Sequence, residues 1–456
     1  MNRIFSSSSD FGEIELAIPG DTSSRKNIFT VLVGKNGVGK SRLLSNIAKS
    51  RIYEIAEEID PPWEKFNDFF PKLIAVSTSP FDKFPPNKRS VQSQKTDTNY
   101  RYVGIRGEGP YGASSAVSLL SSAAKGWLEK LARSDNTANL LPVFQSLSFQ
   151  PHAEFIFKPG YIGNSQNSNS ESYHNFGMSN EMRSLNSRHG INIDERYISH
   201  LYGYGENHRH EIYEAMIELN HFESSRKAVT LTVDFISGKF HLGSQYTNSD
   251  LAKALLILLS AGFLRLIDIR LHKENYGPMS LKRASSGEQC LLMMMFGIAG
   301  HITNDSIILI DEPEISLHPH WQEEFIIMLT NTFSSYSGCQ FIIATHSPQI
   351  VARLPSEGCY VSSLTNKTLY KAKDFNKRSA DYQLAELFGA PGIMNEYIAR
   401  LAFSLLSKVK ATRKVNNENS AELRRLINLS DYIDESDPTK ELIYSVIEVC
   451  KKYADN

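Results

Sequence analysis

The feature that most constrains this chain is the junction at residues 28–41. There the apolar run IFTVLV, Ile28–Val33, enters Gly34-Lys35-Asn36-Gly37-Val38-Gly39-Lys40-Ser41 and is followed by LLSNIA at helical spacing. The octet fits G-x-x-x-x-G-K-[ST], and a strand before it and a helix after it are the context that motif needs. The glycines let backbone N–H groups turn inward around phosphates, at a helix N-terminus whose dipole favours an anion. Asn36, Gly37, Val38 and Gly39 then line the loop, Lys40 meets the β and γ oxygens of ATP, and Ser41 offers a hydroxyl to Mg²⁺. A glycine-rich turn carrying a surface lysine would not require both flanking elements.

Leu73–Val76, Ile307–Ile310 and Phe341–Ala344 are further continuous apolar runs, each ending in polar residues. Buried strands of this kind, separated by helical segments, predict an α/β fold whose mostly parallel sheet is covered by helices on both faces. Chemistry in such sheets collects at the carboxyl ends of the strands. The run Ser306–Pro319, SIILIDEPEISLHP, presents Asp311 and Glu312 at such an end. Neighbours on a strand point to opposite faces, so the two carboxylates take different tasks. Asp311 is expected on the metal side, and Glu312 as the general base that polarises water for attack on the γ-phosphate. A third strand end carries His346, in FIIATHSP. It is expected to sense the γ-phosphate. The stretch Ala284–Gln289, ASSGEQ, opens the apolar run Cys290–Gly300; by itself it reads as a helix N-cap with an acid in the first turn.

With 456 residues, two or three units are expected. The pattern predicts a lobe over 1–84, a mixed α+β insertion over 85–280, a second lobe over 281–380 and a helical region over 381–456. Within the insertion, Ala113–Ala132 is helical by pattern, Ser146–Phe157 and Val229–Leu242 alternate like strands, and residues 163–180 form a polar, low-complexity loop expected to be mobile. Lys plus Arg is 49 against 50 for Asp plus Glu, so nucleic acid would have to meet a local patch. Candidates are Tyr100–Arg106 (YRYVGIR), Asn207–His210 (NHRH) and Lys408–Lys414 (KVKATRK), for which ordinary strand, loop and helix surfaces are the alternatives. Ala254–Leu264 and Cys290–Gly300 fall well short of the roughly 20 apolar residues that span a bilayer, and read as buried helices. The opening MNRIFSSSSDFGEIEL has no secretory h-region, so a cytoplasmic chain with no membrane partner is expected. Four scattered cysteines make no disulfide framework or zinc pair.

The order of phosphate loop, Ser-Gly helix start, strand-Asp-Glu and strand-His resembles ABC-type ATPases of the SMC and RecF-like branch. The resemblance rests on Gly34–Ser41 and Ser285–Pro348, about 240 residues apart, and DEPEISLHP and ATHSPQIV are closer to that branch than to transporter ATPases. It implies an ABC-type ATPase head in which Ser286, Gly287 and Glu288 bind ATP held on the partner protomer's Lys40. One phosphate loop and one signature per chain imply a homodimer that closes on ATP with Mg²⁺ and opens after hydrolysis. The segment IAVSTSPFDKFP, Ile74–Pro85, narrows the likeness to the Septu (PtuA-type) antiphage ATPases, also found beside retrons. That implies an HNH-type nuclease partner and sensing of nucleic acid, DNA being expected. The alternative is a RecF/SMC-like clamp that maintains DNA without a nuclease. Two departures stand out: the signature reads SSGEQ, and Ser77, Thr78 or Ser79 occupies the place of the expected glutamine.

Overall fold

The computed structural model describes residues 3–9, 12–21, 23, 25–57, 72–86, 99–104, 106, 115–133, 138–162, 185, 187–222, 228–243, 245–246 and 248–454. The loop expected over 163–180 lies outside the described residues. The strands are β1 Ser6–Ser9, β2 Gly12–Glu15, β3 Ile28–Val33, β4 Leu73–Ser77, β5 Tyr100–Gly104, β6 Phe149–Pro159, β7 Val229–Asp234 and β8 Phe240–Leu242. The chain continues with β9 Gln245–Tyr246, β10 Leu264–Lys273, β11 Gly277–Ser280, β12 Ile307–Asp311, β13 Gln340–Ala344, β14 Cys359–Ser363 and β15 Thr368–Lys371. A seven-stranded sheet runs β15-β14-β3-β13-β12-β4-β5, and a six-stranded sheet runs β11-β10-β6-β7-β8-β9.

In the seven-stranded sheet every pairing is parallel except β14 with β15. The protein is therefore a mixed α/β fold with a mostly parallel central sheet flanked by helices. Its four inner strands, β3, β13, β12 and β4, are almost wholly apolar because both faces are buried. Ile308 and Ile310 of β12 face the larger core, shared with the helices Ser286–His301 and Pro319–Thr332. Ile307 and Leu309 face a second core built on Leu43, Leu44 and Ile47 of the helix Lys40–Glu57.

The six-stranded sheet and the helices Ser115–Arg133, Glu206–Phe222 and Ser249–Ser260 share the larger core with the central sheet. Trp127 lies at the junction. Its indole N–H donates to the Phe296 carbonyl at 3.1 Å, and its ring meets Phe235 edge-on at 4.9 Å. The helices Ser115–Arg133 and Ser286–His301 approach so closely that a Cβ on Gly300 would stand 3.0 Å from Gly126 backbone atoms. The C-terminal helices Glu396–Thr412, Asn417–Ser430 and Pro438–Ala454 enclose a separate core of Ile398, Leu405, Leu426, Ile443 and Val446.

Several sequence expectations change at local breakers. Ala254–Leu264 is not one helix: the helix ends at Ser260, Gly262 turns at φ +80°, and Leu264 begins β10. Ser146 closes a short helix, Leu141–Ser146, and Ser148 at φ +57° precedes β6. Val229–Leu242 is two strands, because the Asp234 carboxylate accepts from Ile236 N–H at 2.9 Å and Ser237 Oγ at 2.7 Å and nucleates a turn. Tyr100–Gly104 is the edge strand of the central sheet, past the boundary expected at 84. Its Tyr100 and Tyr102 are buried, with hydroxyls donating to Pro85 O and Asp82 Oδ2 at 2.7 Å each, so they offer no platform for bases. Asn207–His210 lies on the helix Glu206–Phe222. Lys408 pairs with Glu422 at 2.6 Å, which spends one charge of the basic stretch inside the helical region. All four cysteines are free, and no described helix is long and apolar enough to cross a membrane.

Under the edge strand, Arg101 donates to Glu129 at 3.1 Å, and His301 Nδ1 stands 3.7 Å from the other Glu129 oxygen. Burial alone would raise the Glu129 pKa; Arg101 and His301 outweigh it and hold the carboxyl below its ordinary range. A depressed carboxyl gives stability that is present above its unfolded value, near 4.5, and lost as pH falls toward the folded value. Glu129→Gln is expected to cost roughly 3 kcal/mol at pH 7, the scale for breaking a buried pair, and to make the acid-side decline shallower. Urea titrations between pH 7 and 4 measure both effects. Gly300→Val, which forces the two helices apart, is expected to cost about 2 kcal/mol by the same titration.

Candidate functional site

Four adjacent parallel strands, β3, β13, β12 and β4, deliver their carboxyl ends to one edge of the central sheet. From β3 comes the glycine loop, with Gly34, Gly37 and Gly39 at φ +152°, +79° and +93°. These positive values suit glycine, and the turn leads directly into the helix that begins at Lys40. Lys40 is buried beneath its own loop, donating to Gly34 O at 3.0 Å and lying 3.4 Å from His346 Nδ1. Burial, offset by the carboxylates of Glu314, Glu312 and Asp311, lowers its pKa to about 8.

Asp311 ends β12, and its Oδ1 accepts from Ser41 Oγ at 3.0 Å. Burial raises its pKa to about 7, with Glu312, Asp82 and Glu314 adding to the rise. Glu312 follows at φ +48°, and its N–H donates to the Ala344 carbonyl at 2.9 Å. The separation of the two carboxylates therefore does not come from strand alternation, as the sequence suggested. The strand stops at Asp311 and Glu312 turns left-handed, a sparsely populated conformation for a residue with a side chain. Its Oε1 stands 3.8 Å from His346 Nε2. Burial and the Lys40 charge push His346 down to about 4, so at neutral pH the ring is uncharged. With Nδ1 facing the Lys40 ammonium, the ring proton sits on Nε2, toward Glu312.

Sequence reasoning missed Glu314. It is buried, and it accepts from Thr345 Oγ1 at 2.7 Å and from the His346 N–H at 2.5 Å. Burial raises its pKa. Two acceptor oxygens thus fix the strand-end loop that carries His346. Asp82 was missed as well. It is buried near Asp311, pairs with Arg106, and accepts from the Phe84 N–H at 3.0 Å. Both lie inside quoted motifs, DEPEISLHP and SPFDKFP, yet nothing in their spacing separates them from solvated acids. Of the three candidates at the end of β4, Ser77 Oγ and Ser79 Oγ accept from the N–H groups of Ser79 and Phe81 at 3.1 and 3.2 Å. Among the described residues, the buried Thr78 hydroxyl has no hydrogen-bond partner.

Ser286, Gly287 and Glu288 form the first turn of the helix Ser286–His301, capped reciprocally by Ser285 and Glu288. A Cβ on Gly287 would meet Ser316 O at 3.2 Å and Trp321 Cδ1 at 3.4 Å. The Glu288 carboxylate, expected among the nucleotide contacts, has partners within the chain. It accepts from Ser285 N–H at 3.1 Å and from Lys273 Nζ at 2.6 Å, which ties the signature to β10. His318 caps the helix Pro319–Thr332, and no cluster of three or more metal-ligating side chains occurs among the described residues.

The family model described as "AAA domain, putative AbiEii toxin, Type IV TA system" matches residues 135–352, just under half of the chain. That stretch includes Ser286, Asp311, Glu312 and His346 but not the glycine loop. "Retron Ec83 probable ATPase" of Escherichia coli is 32% identical over 117 residues, 23% of this chain and 20% of that protein. "Retron Vc95 probable ATPase" of Vibrio cholerae serotype O1 biovar El Tor is 31% identical over 156 residues, 30% of this chain and 29% of that protein. "Protein ea59" of Escherichia phage lambda is 35% identical over 75 residues, 16% of this chain and 14% of that protein. The matched stretches thus span less than a third of each relative. The solved "SMC head domain from Thermotoga maritima" shares 14% identity at a TM-score of 0.19, covering 31% of this chain and 66% of that chain.

Glu314→Ala is expected to cost roughly 2 kcal/mol, because the buried Thr345 hydroxyl and His346 N–H lose their acceptor. Glu314→Gln, which keeps one carbonyl oxygen, is expected to cost less. Thermal denaturation of the two variants beside wild type checks the order.

Proposed function

We propose that the protein is a cytoplasmic Mg²⁺-dependent ATPase whose chains pair on ATP, and that it controls a partner nuclease in antiviral defence by sensing nucleic acid. The observation that carries the ATPase reading is the convergence of Lys40, Ser41, Asp311, Glu312 and His346 at the ends of adjacent parallel strands. The groups fit a magnesium triphosphate: the loop's glycines open toward free space at Gly37, and a hydroxyl and a carboxylate are already paired at Ser41 and Asp311. Those two residues would hold the ion, which when bound draws charge off the β and γ oxygens.

The chain's own residues supply the rest. Lys40, already directed into the loop, gives its ammonium to the phosphate oxygens. Glu312, held off the strand by its left-handed backbone, accepts the proton of the attacking water as the new P–O bond forms and the bond to the ADP oxygen breaks. Neutral His346 directs its Nε2–H into the same space and can donate to a γ oxygen. Glu314 and Thr345 keep that histidine in place. In this reading the signature turn Ser286–Gly287 reaches the γ-phosphate of a second copy, so that the chains pair through nucleotide. The names of the two retron relatives support an ATPase associated with a retron, and the antiviral setting, the HNH-type nuclease, DNA preference and Septu-like assembly are the finer parts of the proposal.

Steady-state ATP turnover tests the assignment. Lys40→Ala and Glu312→Gln are each expected to lower the rate about 10²- to 10⁴-fold, the scale of removing a phosphate ligand or a general base. Equal rates in all three proteins would refute the assigned roles. Glu312→Gln is further expected to double in mass with ATP in light scattering, and an unchanged mass would remove the pairing.

A further inference from the structure

Lys35, the second residue of the glycine loop, divides its main chain and side chain between two parts of the molecule. Its N–H donates to Thr365 Oγ1 at 3.2 Å and its carbonyl accepts from Lys40 Nζ at 3.5 Å, so the backbone belongs to the loop. Its side chain lies against the C-terminal helical region. The ammonium stands 4.3 Å from the centroid of the Tyr432 ring. The stem passes Gly389, where an added Cβ would stand 3.1 Å from Lys35 Cε and 3.8 Å from Tyr432 Cε1. Gly389, at φ +59°, closes the π-helical turn Leu384–Phe388. Such turns are rare and recur at functional sites. Tyr432 follows the helix Asn417–Ser430 and is bonded back to Leu429 O at 3.1 Å, next to Ile433 of the helical core. A glycine, a π turn and an aromatic ring from two segments of the helical region therefore form a seat for one lysine of the loop.

We propose that Lys35 is a second phosphate-binding cation, and that Tyr432 and the nucleotide compete for its ammonium, so that binding loosens the hold of the C-terminal helical region on the loop. This rests on the nucleotide-binding reading above. Lysine is a mobile point charge on a four-carbon stem, and Lys35 is exposed, so the ammonium can leave its seat without unburying. A ring face at an exposed site holds a cation weakly, whereas a phosphate oxygen receives a charge-assisted hydrogen bond about twice as strong as a neutral one. The phosphate wins, and what the nucleotide gives up in winning couples the two sites reciprocally.

The test uses the full chain, a nonhydrolysable ATP analogue with Mg²⁺, and hydrogen exchange over residues 384–396 and 429–437. Tyr432→Leu, which removes the competitor, is expected to bind the analogue about two- to fivefold more tightly. Tyr432→Phe keeps the ring and restores wild-type affinity. Lys35→Ala is expected to bind roughly tenfold more weakly. In wild type the analogue raises exchange over 429–437; in Lys35→Ala exchange there is already raised and no longer responds. Looser binding in Tyr432→Leu, unchanged binding in Lys35→Ala, or wild-type exchange indifferent to the analogue would each overturn the inference alone. A wild-type chain that bound no analogue would overturn the nucleotide reading and this inference with it.

Discussion

The parallel pairing of β3, β13, β12 and β4 is the constraint on which the rest of the molecule depends. Register places Asp311 opposite Ala344 on one side and Ser77 on the other, while Ala344 faces Leu32. Slipping any one strand by a residue would turn its side chains to the opposite face. It would also separate the Ser41 hydroxyl from Asp311 and the His346 ring from Lys40. Burial on both faces prevents such a slip, because alternate residues of each strand are committed to two different cores. The geometry of the site is thus held mainly by residues that take no part in its chemistry.

Within that frame the charged groups are mutually dependent. Lys40 is buried with three carboxylates around it, which partly offset the lowering of its pKa by burial, while Glu312 and Glu314 add to the rise that burial causes at Asp311. A buried ammonium and buried carboxylates cost free energy unless paired, and here the pairing is partial: Asp311 is raised toward neutrality and Lys40 lowered toward it. An anionic ligand carrying its own cation would supply both missing partners. That is the electrostatic ground for the nucleotide site proposed above.

The site is also wired to the rest of the chain. The Lys273–Glu288 pair joins the signature turn to the six-stranded sheet, and the Lys35–Tyr432 contact joins the glycine loop to the C-terminal helices. Each link has an element of the candidate site at one end and a peripheral element at the other. In the proposed reading, movement at a bound nucleotide would have two physical routes outward, one through an ion pair and one through a cation on a ring.

The sequence by itself determined the strands and the order of the motifs. A β-branched apolar run needs burial on both sides, and glycines at 34, 37 and 39 permit the positive φ values that the turn into the helix adopts. It singled out Asp311, Glu312 and His346 as candidates because each lies at or just past the end of such a run, and Lys40 and Ser41 because they close the glycine octet. Tertiary structure alone decided what depended on contacts between distant segments. Glu314 became the anchor of His346 because β12 and β13 are neighbours; Glu288 became a cap and a partner of Lys273 because β10 returns beside the signature; Tyr100 and Tyr102 became core because β5 closes the edge of the sheet. A carboxylate or an aromatic ring looks the same in sequence whether it faces water or a partner 30 or 300 residues away, and only the packed chain specifies which.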